Sequence, residues 1–229
     1  MKEVTMEKVI IFGNATQGLL GHFLLTHDSP YQVVAFTVDG KYIKEKELQG
    51  LPVLPFDEIE SIYPPESCKM HIPVLGWAPK LREEKYHQAK AKGYELINYI
   101  SSKAVTWPDL VIGDNCSIGE GSICRPFVQI GNDVLIQAGC NIGHNTVIKD
   151  HCFIASHAVL LGMVTVEPYT FIGANATIDN GVTIARECVI GAGTVIRTNT
   201  KEKEVYRANP PALLPLPSDK MMNMYFARQ

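Results

Sequence analysis

His144 and Gly162 stand eighteen residues apart, in the stretches Ile142-Gly-His-Asn-Thr-Val147 and Leu161-Gly-Met163. An imidazole titrates near neutrality and is well suited to take a proton from a nucleophile. A glycine leaves its backbone N–H uncovered, and such a donor can hold a developing oxyanion. Stacked on neighbouring rungs of one fold, the pair would supply a general base and an oxyanion donor. The plain alternative is a surface histidine over a turn glycine. His151 and His157 follow seven and six residues further on. Three histidines could ligate zinc, but these spacings put them on successive faces, so a metal would need ligands from a neighbouring subunit. No CxxC or HxH pattern adds to them, and no metal is expected. A further constellation is the turn Gly13-Asn-Ala-Thr-Gln-Gly18 between an apolar strand and a helical stretch. It could present N–H groups to a phosphate, although it lacks the middle glycine of the dinucleotide fingerprint. Asp39, about twenty residues on, could bond a ribose or base edge, or could simply form a turn with Gly40.

The element that must carry His144 and Gly162 is written in a period of six. From Ile112 to Ile196 every sixth residue is aliphatic, apart from Cys124, and four residues after each stands a small or β-branched side chain. Neither a helix nor an alternating strand holds that period. Hexapeptide repeats of this kind build a parallel β-helix with three hexads, or eighteen residues, to the turn. The two series should point inward, while Phe127, Val134, Phe153, Leu161 and Phe171 are assigned to flat outer faces, a pattern that points to association.

Upstream, short apolar runs alternate with helical stretches. Strands are expected at 8–12, 32–38, 51–54, 71–75 and 94–99, and helices after Gly18 to about His27, over 57–62, and from Pro79 to about Lys92. Such alternation argues for a parallel sheet with crossover helices. The chain is therefore divided into an α/β unit, residues 1–103, and an all-β unit, residues 104–229. The latter ends in a proline-rich tail and a short apolar helix at DKMMNMYFARQ.

The chain has 229 residues and a formal net charge of −3, with no basic run. Nucleic acid is excluded as the main partner. No apolar stretch reaches the roughly 18 residues of a membrane span, and the start of the chain reads directly into a strand without a cleavage region. Five of the six cysteines fall in the inward slots of the repeat and read as small, reduced hydrophobes. These features point to a cytoplasmic protein.

KVIIFGNATQG, the strand ending FTVDG, the VLGW turn, the INYISSKA linker, the hexads and the ANPPA stretch together resemble the bacterial nucleotide-sugar N-acyltransferases of the sialic-acid and bacillosamine type. The resemblance covers nearly the whole chain. It implies a Rossmann-like N-terminal domain joined to a left-handed β-helix, assembled as a homotrimer. It also implies that His144 is the general base and Gly162 the oxyanion donor. Ala174 and Ala192 would line the pantetheine channel of acetyl-CoA, or another short acyl-CoA, together with Gly162. Gly13, Asn14, Ala15, Thr16, Gln17, Asp39 and Gly76 would hold a nucleotide-linked amino sugar between subunits. Some positions depart from that pattern. Asn145 stands where the family often has a carboxylate, and an amide orients the ring without stabilising imidazolium by charge. Phe153 stands where the family has a second histidine, for which His157 or His151 could substitute. Ser101 replaces a linker histidine.

The expected reaction is acyl transfer to the amine of a nucleotide-linked deoxysugar, without a metal. Three rivals stand beside it: O-acetylation of a sugar hydroxyl, a non-catalytic trimeric scaffold that binds a nucleotide sugar, and a zinc-dependent hydratase.

Overall fold

The computed structural model of the protein describes residues 6–73 and 79–208. Gly76, the prolines from Pro210 and the expected C-terminal helix lie outside the described residues.

The period of six becomes a three-sided prism. Each hexad gives a two-residue strand, and strands stack in parallel with a register of eighteen. Leu135 pairs with Phe153, Asn141 with Val159 and Val147 with Thr165. The first face runs from Val111–Ile112 to Thr183–Ile184. The second runs from Tyr99–Ile100 to Val205–Tyr206, and the third from Ile123–Cys124 to Val195–Ile196. The parallel sheets and the repeats are consistent with a left-handed coil. Inside, Ile118, Ile142, Ile154, Leu160, Ile172 and Ile190 are fully buried, with Cys140, Ala158 and Ala176 filling the narrower slots between them. Val134, assigned above to an outer face, is also fully buried. It occupies the small-residue slot of its hexad, and that slot points inward. Phe127 remains exposed.

The corners carry a constraint that hydrophobic periodicity does not reveal. From Asn115 to Gly193 every sixth residue has positive φ, including Phe127, Asn145, His151, His157, Met163 and Tyr169. The left-handed region costs a non-glycine residue roughly 1–2 kcal/mol. The hexad turn imposes it whatever the side chain, and the stacking of coils offsets the cost. Three functional candidates, Asn145, His151 and His157, therefore share one geometric position.

The N-terminal part is an α/β sheet. β1 (Glu7–Phe12) lies between β2 (Tyr31–Val38) and β5 (Lys69–His71), with β4 (Leu51–Pro55) beside β2, all parallel. β3 (Glu47–Leu48) pairs antiparallel at the edge. Val9 to Phe12 are all buried, as a strand covered on both sides requires. Helix α1 (Thr16–His27) connects β1 to β2, and α2 (Ile59–Ile62) follows a 3₁₀ turn over Phe56–Glu58. The strand expected at 71–75 runs earlier, over Lys69–His71, and stops before Pro73, which has no N–H to pair. The strand expected at 94–99 is divided between two sheets. Leu96 bridges Met70, while Tyr99 and Ile100, β6, pair with Ser117 and Ile118 of the prism. Asn98 is the pivot: its side chain accepts from Cys116 N at 2.7 Å and donates to Gly113 O at 2.7 Å.

Helix α3 (Pro79–Ala91) seats this sheet on the prism, at the corner between its first and second faces. Arg82 Nε donates to Asp133 Oδ2 at 2.9 Å, and Lys90 Nζ reaches Asp114 Oδ2 at 2.6 Å. On the other side Asp28, at the end of α1, accepts from Ser101 Oγ at 2.8 Å and from Tyr99 OH at 3.0 Å. Hydrogen bonds from Ser102 and Ser101 hold the Asp28 carboxyl down at about 2. Among the described residues no helix is long and apolar enough to cross a membrane.

Candidate active site

Ile142 ends a strand of the third face with its side chain in the core. The chain then turns the corner through Gly143 and His144 to Asn145 at φ 57°, which leaves His144 exposed. The next coil stacks on this corner, Met163 N donating to His144 O at 2.8 Å. Gly162 is buried, and a Cβ placed on it would lie 2.5 Å from His144 Nε2. The imidazole therefore rests on the one residue type that leaves room for it. Its Nδ1 is 3.0 Å from Asn145 Oδ1. With that oxygen as acceptor, Nδ1 carries the proton and Nε2 presents a lone pair. Among the described residues Gly162 N donates to no protein acceptor. One rung thus offers a free base nitrogen, and the next offers an uncommitted N–H.

His157 makes the informative contrast. It lies on the corner between the second and third faces with its ring against Gly139, where a Cβ would meet Nδ1 at 2.5 Å. Gly139 N, however, donates to Glu120 O at 2.9 Å. The second histidine over a glycine therefore has no spare donor beside it.

The loop 13–18 has the shape its glycines suggest. Gly13 has φ 123°, and a Cβ on Gly18 would come within 2.1 Å of Gly13 O, so both ends of the loop need glycine. Ala15 is the N-cap of α1, with no side-chain cap. Asn14 Nδ2 donates to Tyr42 O at 3.1 Å. These residues line a cleft of about 850 Å³ with Asp39, Lys41, Tyr42 and Lys85. Asp39 is not a free acceptor, because Lys85 Nζ bonds its Oδ1 at 2.6 Å. Its second oxygen carries whatever ligand contact it makes.

A second cleft, of about 600 Å³, lies between the second face of the prism and the N-terminal part. Ala174 and Ala192 line it, together with Phe153 and Phe171, whose rings stack 5.2 Å apart. Gln17 borders both clefts. A single chain therefore unites Ala174 and Ala192 with the 13–18 loop, whereas His144 and Gly162 occupy a different corner and line neither cleft.

Arg82 and His151 also border the second cleft. They belong to a buried network that sequence reasoning missed. Asp133 accepts from Arg82 Nε, from His151 Nδ1 at 2.8 Å and from Asn115 Nδ2 at 2.7 Å. Its eighteen-residue signal was available: 133 plus 18 is 151, the spacing that relates His144 to Gly162. Arg82 carries no comparable mark, because its partner lies 51 residues away in another element. Tyr169 stacks on His151, and burial pushes its hydroxyl up to about 12. The thiols of Cys116, Cys124 and Cys152, read from the sequence as small, reduced hydrophobes, are likewise pushed up to about 12 by burial.

A parallel β-helix bearing an N-terminal parallel α/β sheet is the class of protein these features define. Comparison with known proteins agrees and adds detail. Residues 127–162 and 163–198 match the bacterial transferase hexapeptide family, described as six repeats, and residues 109–144 match the hexapeptide repeat of succinyl-transferase. Residues 109–198 are thus a run of hexapeptide repeats.

Gamma carbonic anhydrase 1 of Arabidopsis thaliana is 33% identical over 134 residues, 51% of this chain and 47% of that protein. An acyl-[acyl-carrier-protein]–UDP-N-acetylglucosamine O-acyltransferase of Ectopseudomonas mendocina is 32% identical over 108 residues, 44% of this chain and 42% of that one. The chain spans about half the length of these curated relatives.

Among solved structures, a mutant perosamine N-acetyltransferase from Caulobacter crescentus in complex with CoA and GDP-perosamine superposes with TM-score 0.79 at 21% identity. It covers 87% of this chain and 93% of its own. The acetyltransferase domain of PglB from Neisseria gonorrhoeae, in complex with acetyl coenzyme A, gives 0.78 at 18% identity over 87% and 95%. WeeI from Acinetobacter baumannii gives 0.71 at 19% over 87% and 94%. At these identities the likeness is one of fold, and it spans both parts of the chain.

Proposed function

We propose that the protein is an acyl-CoA-dependent N-acyltransferase, with acetyl-CoA as the favoured donor and a nucleotide-linked amino-deoxysugar as acceptor. The observation that carries this reading is the His144 imidazole resting on Gly162, with a lone pair and an unused N–H on adjacent rungs. The amine nitrogen attacks the thioester carbonyl carbon and the N–C bond forms. Gly162 N–H holds the resulting oxyanion. His144 Nε2 takes the proton from the amine, the C–S bond breaks, and the imidazolium returns the proton to the departing thiolate.

In this reading residues up to about 103 form a Rossmann-like unit, and the hexad repeats that follow form a left-handed β-helix. The 13–18 loop at the start of α1 holds the diphosphate, and Ala174 and Ala192 leave room for the pantetheine arm. Because His144 lies on another corner from that cleft, a complete site needs a second subunit, and a homotrimer supplies it. The solved neighbours with CoA, acetyl-CoA or GDP-perosamine bound support the substrate classes.

The test is thiol release from acetyl-CoA, with UDP-, dTDP- and GDP-linked amino sugars and their hydroxy counterparts as acceptors. Release with an amino sugar is expected, and His144→Ala should be about 10²–10⁴-fold slower with the trimer intact. Faster turnover of the hydroxy counterpart would make the protein an O-acyltransferase. Undiminished turnover by His144→Ala would remove His144 from the mechanism, and no release with any acceptor would leave a binding scaffold.

A further inference from the structure

Where α3 meets the prism, Glu83, His87 and His151 each offer one ligand atom, and the three atoms lie within 4.8 Å of one another. Glu83 and His87 are four residues apart and so project from one face of α3. His151 comes from the corner of the prism that α3 covers. The residue is 6% exposed, and its Nδ1 is engaged by Asp133 Oδ2 at 2.8 Å. In the neutral ring that contact places the proton on Nδ1 and the lone pair on Nε2, for which the described residues supply no partner. A carboxylate behind a histidine in this way is the arrangement that fixes tautomer and raises basicity in metal-ligating histidines. The other fixed ligand is held too, since Tyr169 OH donates to Glu83 Oε1 at 2.6 Å while its ring stacks on His151. Arg82 adds no uncompensated charge, because Asp133 pairs with it.

We propose that Glu83, His87 and His151 form a divalent transition-metal site of the zinc class, in which the ion clamps α3 to the prism. Two imidazoles and one carboxylate suit zinc or cobalt, with a fourth position for water. Tetrahedral zinc at about 2.0–2.2 Å from its ligands needs donors roughly 3.3 Å apart. His87 Nε2 already lies 3.9 Å from Glu83 Oε1, and its side chain is 64% exposed, so it is the ligand with most room to move as the site contracts. The site is separate from His144 and plays no part in the transfer step.

The test uses the full-length protein after chelator treatment and dialysis. Cobalt(II) titration should give the intense visible absorption of a four-coordinate site at one ion per chain. Zinc should displace the cobalt and raise Tm. His87→Ala and Glu83→Gln should each weaken cobalt binding at least about tenfold and abolish the zinc-dependent rise in Tm, with unchanged circular dichroism. Absence of saturable binding overturns the proposal. So does equal affinity in both variants, because the ion would then sit elsewhere.

Discussion

A methyl group on Gly162 would lie 2.5 Å from His144 Nε2. The backbone at 162 has no positive φ, so the residue is glycine because of the imidazole, and the turn itself would accept a side chain. Gly162→Ala should therefore fold and assemble normally while displacing the ring. Its kcat/KM is expected to fall about 10²-fold or more. The double variant with His144→Ala separates displacement from obstruction of the thioester. If the methyl acts only through the ring, the double variant is no slower than His144→Ala alone. Full activity in Gly162→Ala would break the link between the two rungs.

Asn145 holds the same ring from the other side, its Oδ1 3.0 Å from Nδ1. Replacing the amide by a carboxylate keeps the shape and adds a charge that favours imidazolium. Asp tolerates the left-handed conformation that this corner imposes. Asn145→Asp is thus expected to move the acid limb of the pH–rate profile upward by about one pH unit, with a several-fold higher plateau from the stronger base. An unmoved limb would mean that residue 145 does not act through His144.

The prism was legible because its signal is a strict count. A period of six with no insertion fixes which side chain points inward, and the same count places Gly162 over His144. Val134 shows the count outranking a judgement about surface, since its slot is an inward one. The left-handed corners were not legible from hydrophobicity, because Phe127, Met163 and Tyr169 carry no conformational preference for them. The seating of α3 was hidden for a different reason. Arg82 reaches Asp133 across 51 residues of sequence, and no periodicity relates a helix to a corner it covers. The clefts depend on that seating, so no sequence pattern groups Gln17 with Ala174 and Ala192.

The Asp133 network is a stability element as well as a junction. Arg82 and Asp133 are almost completely buried, with side-chain exposures of 5% and 0%. Removing one partner leaves the other charge uncompensated inside the protein. Asp133→Ala is expected to destabilise by about 3–5 kcal/mol, measured by urea unfolding. Arg82→Met together with Asp133→Leu should recover only the part that comes from the uncompensated Arg82 charge, because His151 Nδ1 and Asn115 Nδ2 lose their acceptor in both variants. A loss below about 1 kcal/mol in Asp133→Ala would mean that water enters the junction and screens the pair.

His71 gives the fold an acid limit. It ends β5, fully enclosed, with Nδ1 3.2 Å from Ile97 O. Burial is the main reason its imidazole is depressed to about 4, with Arg82 adding to the depression and the Ile97 carbonyl and Asp133 opposing it. The carbonyl needs Nδ1 as a donor, which the neutral ring provides. An unfolded histidine titrates near 6.5, so between 6.5 and 4 the unfolded chain binds the proton that the folded chain refuses. Stability is therefore complete above pH 6.5 and declines as pH falls toward 4, by on the order of 3 kcal/mol. His71→Asn retains an N–H for Ile97 O and cannot titrate. Its unfolding free energy should fall less steeply across that window than the parent's, and equal slopes in the two proteins would show that other groups set the acid limit.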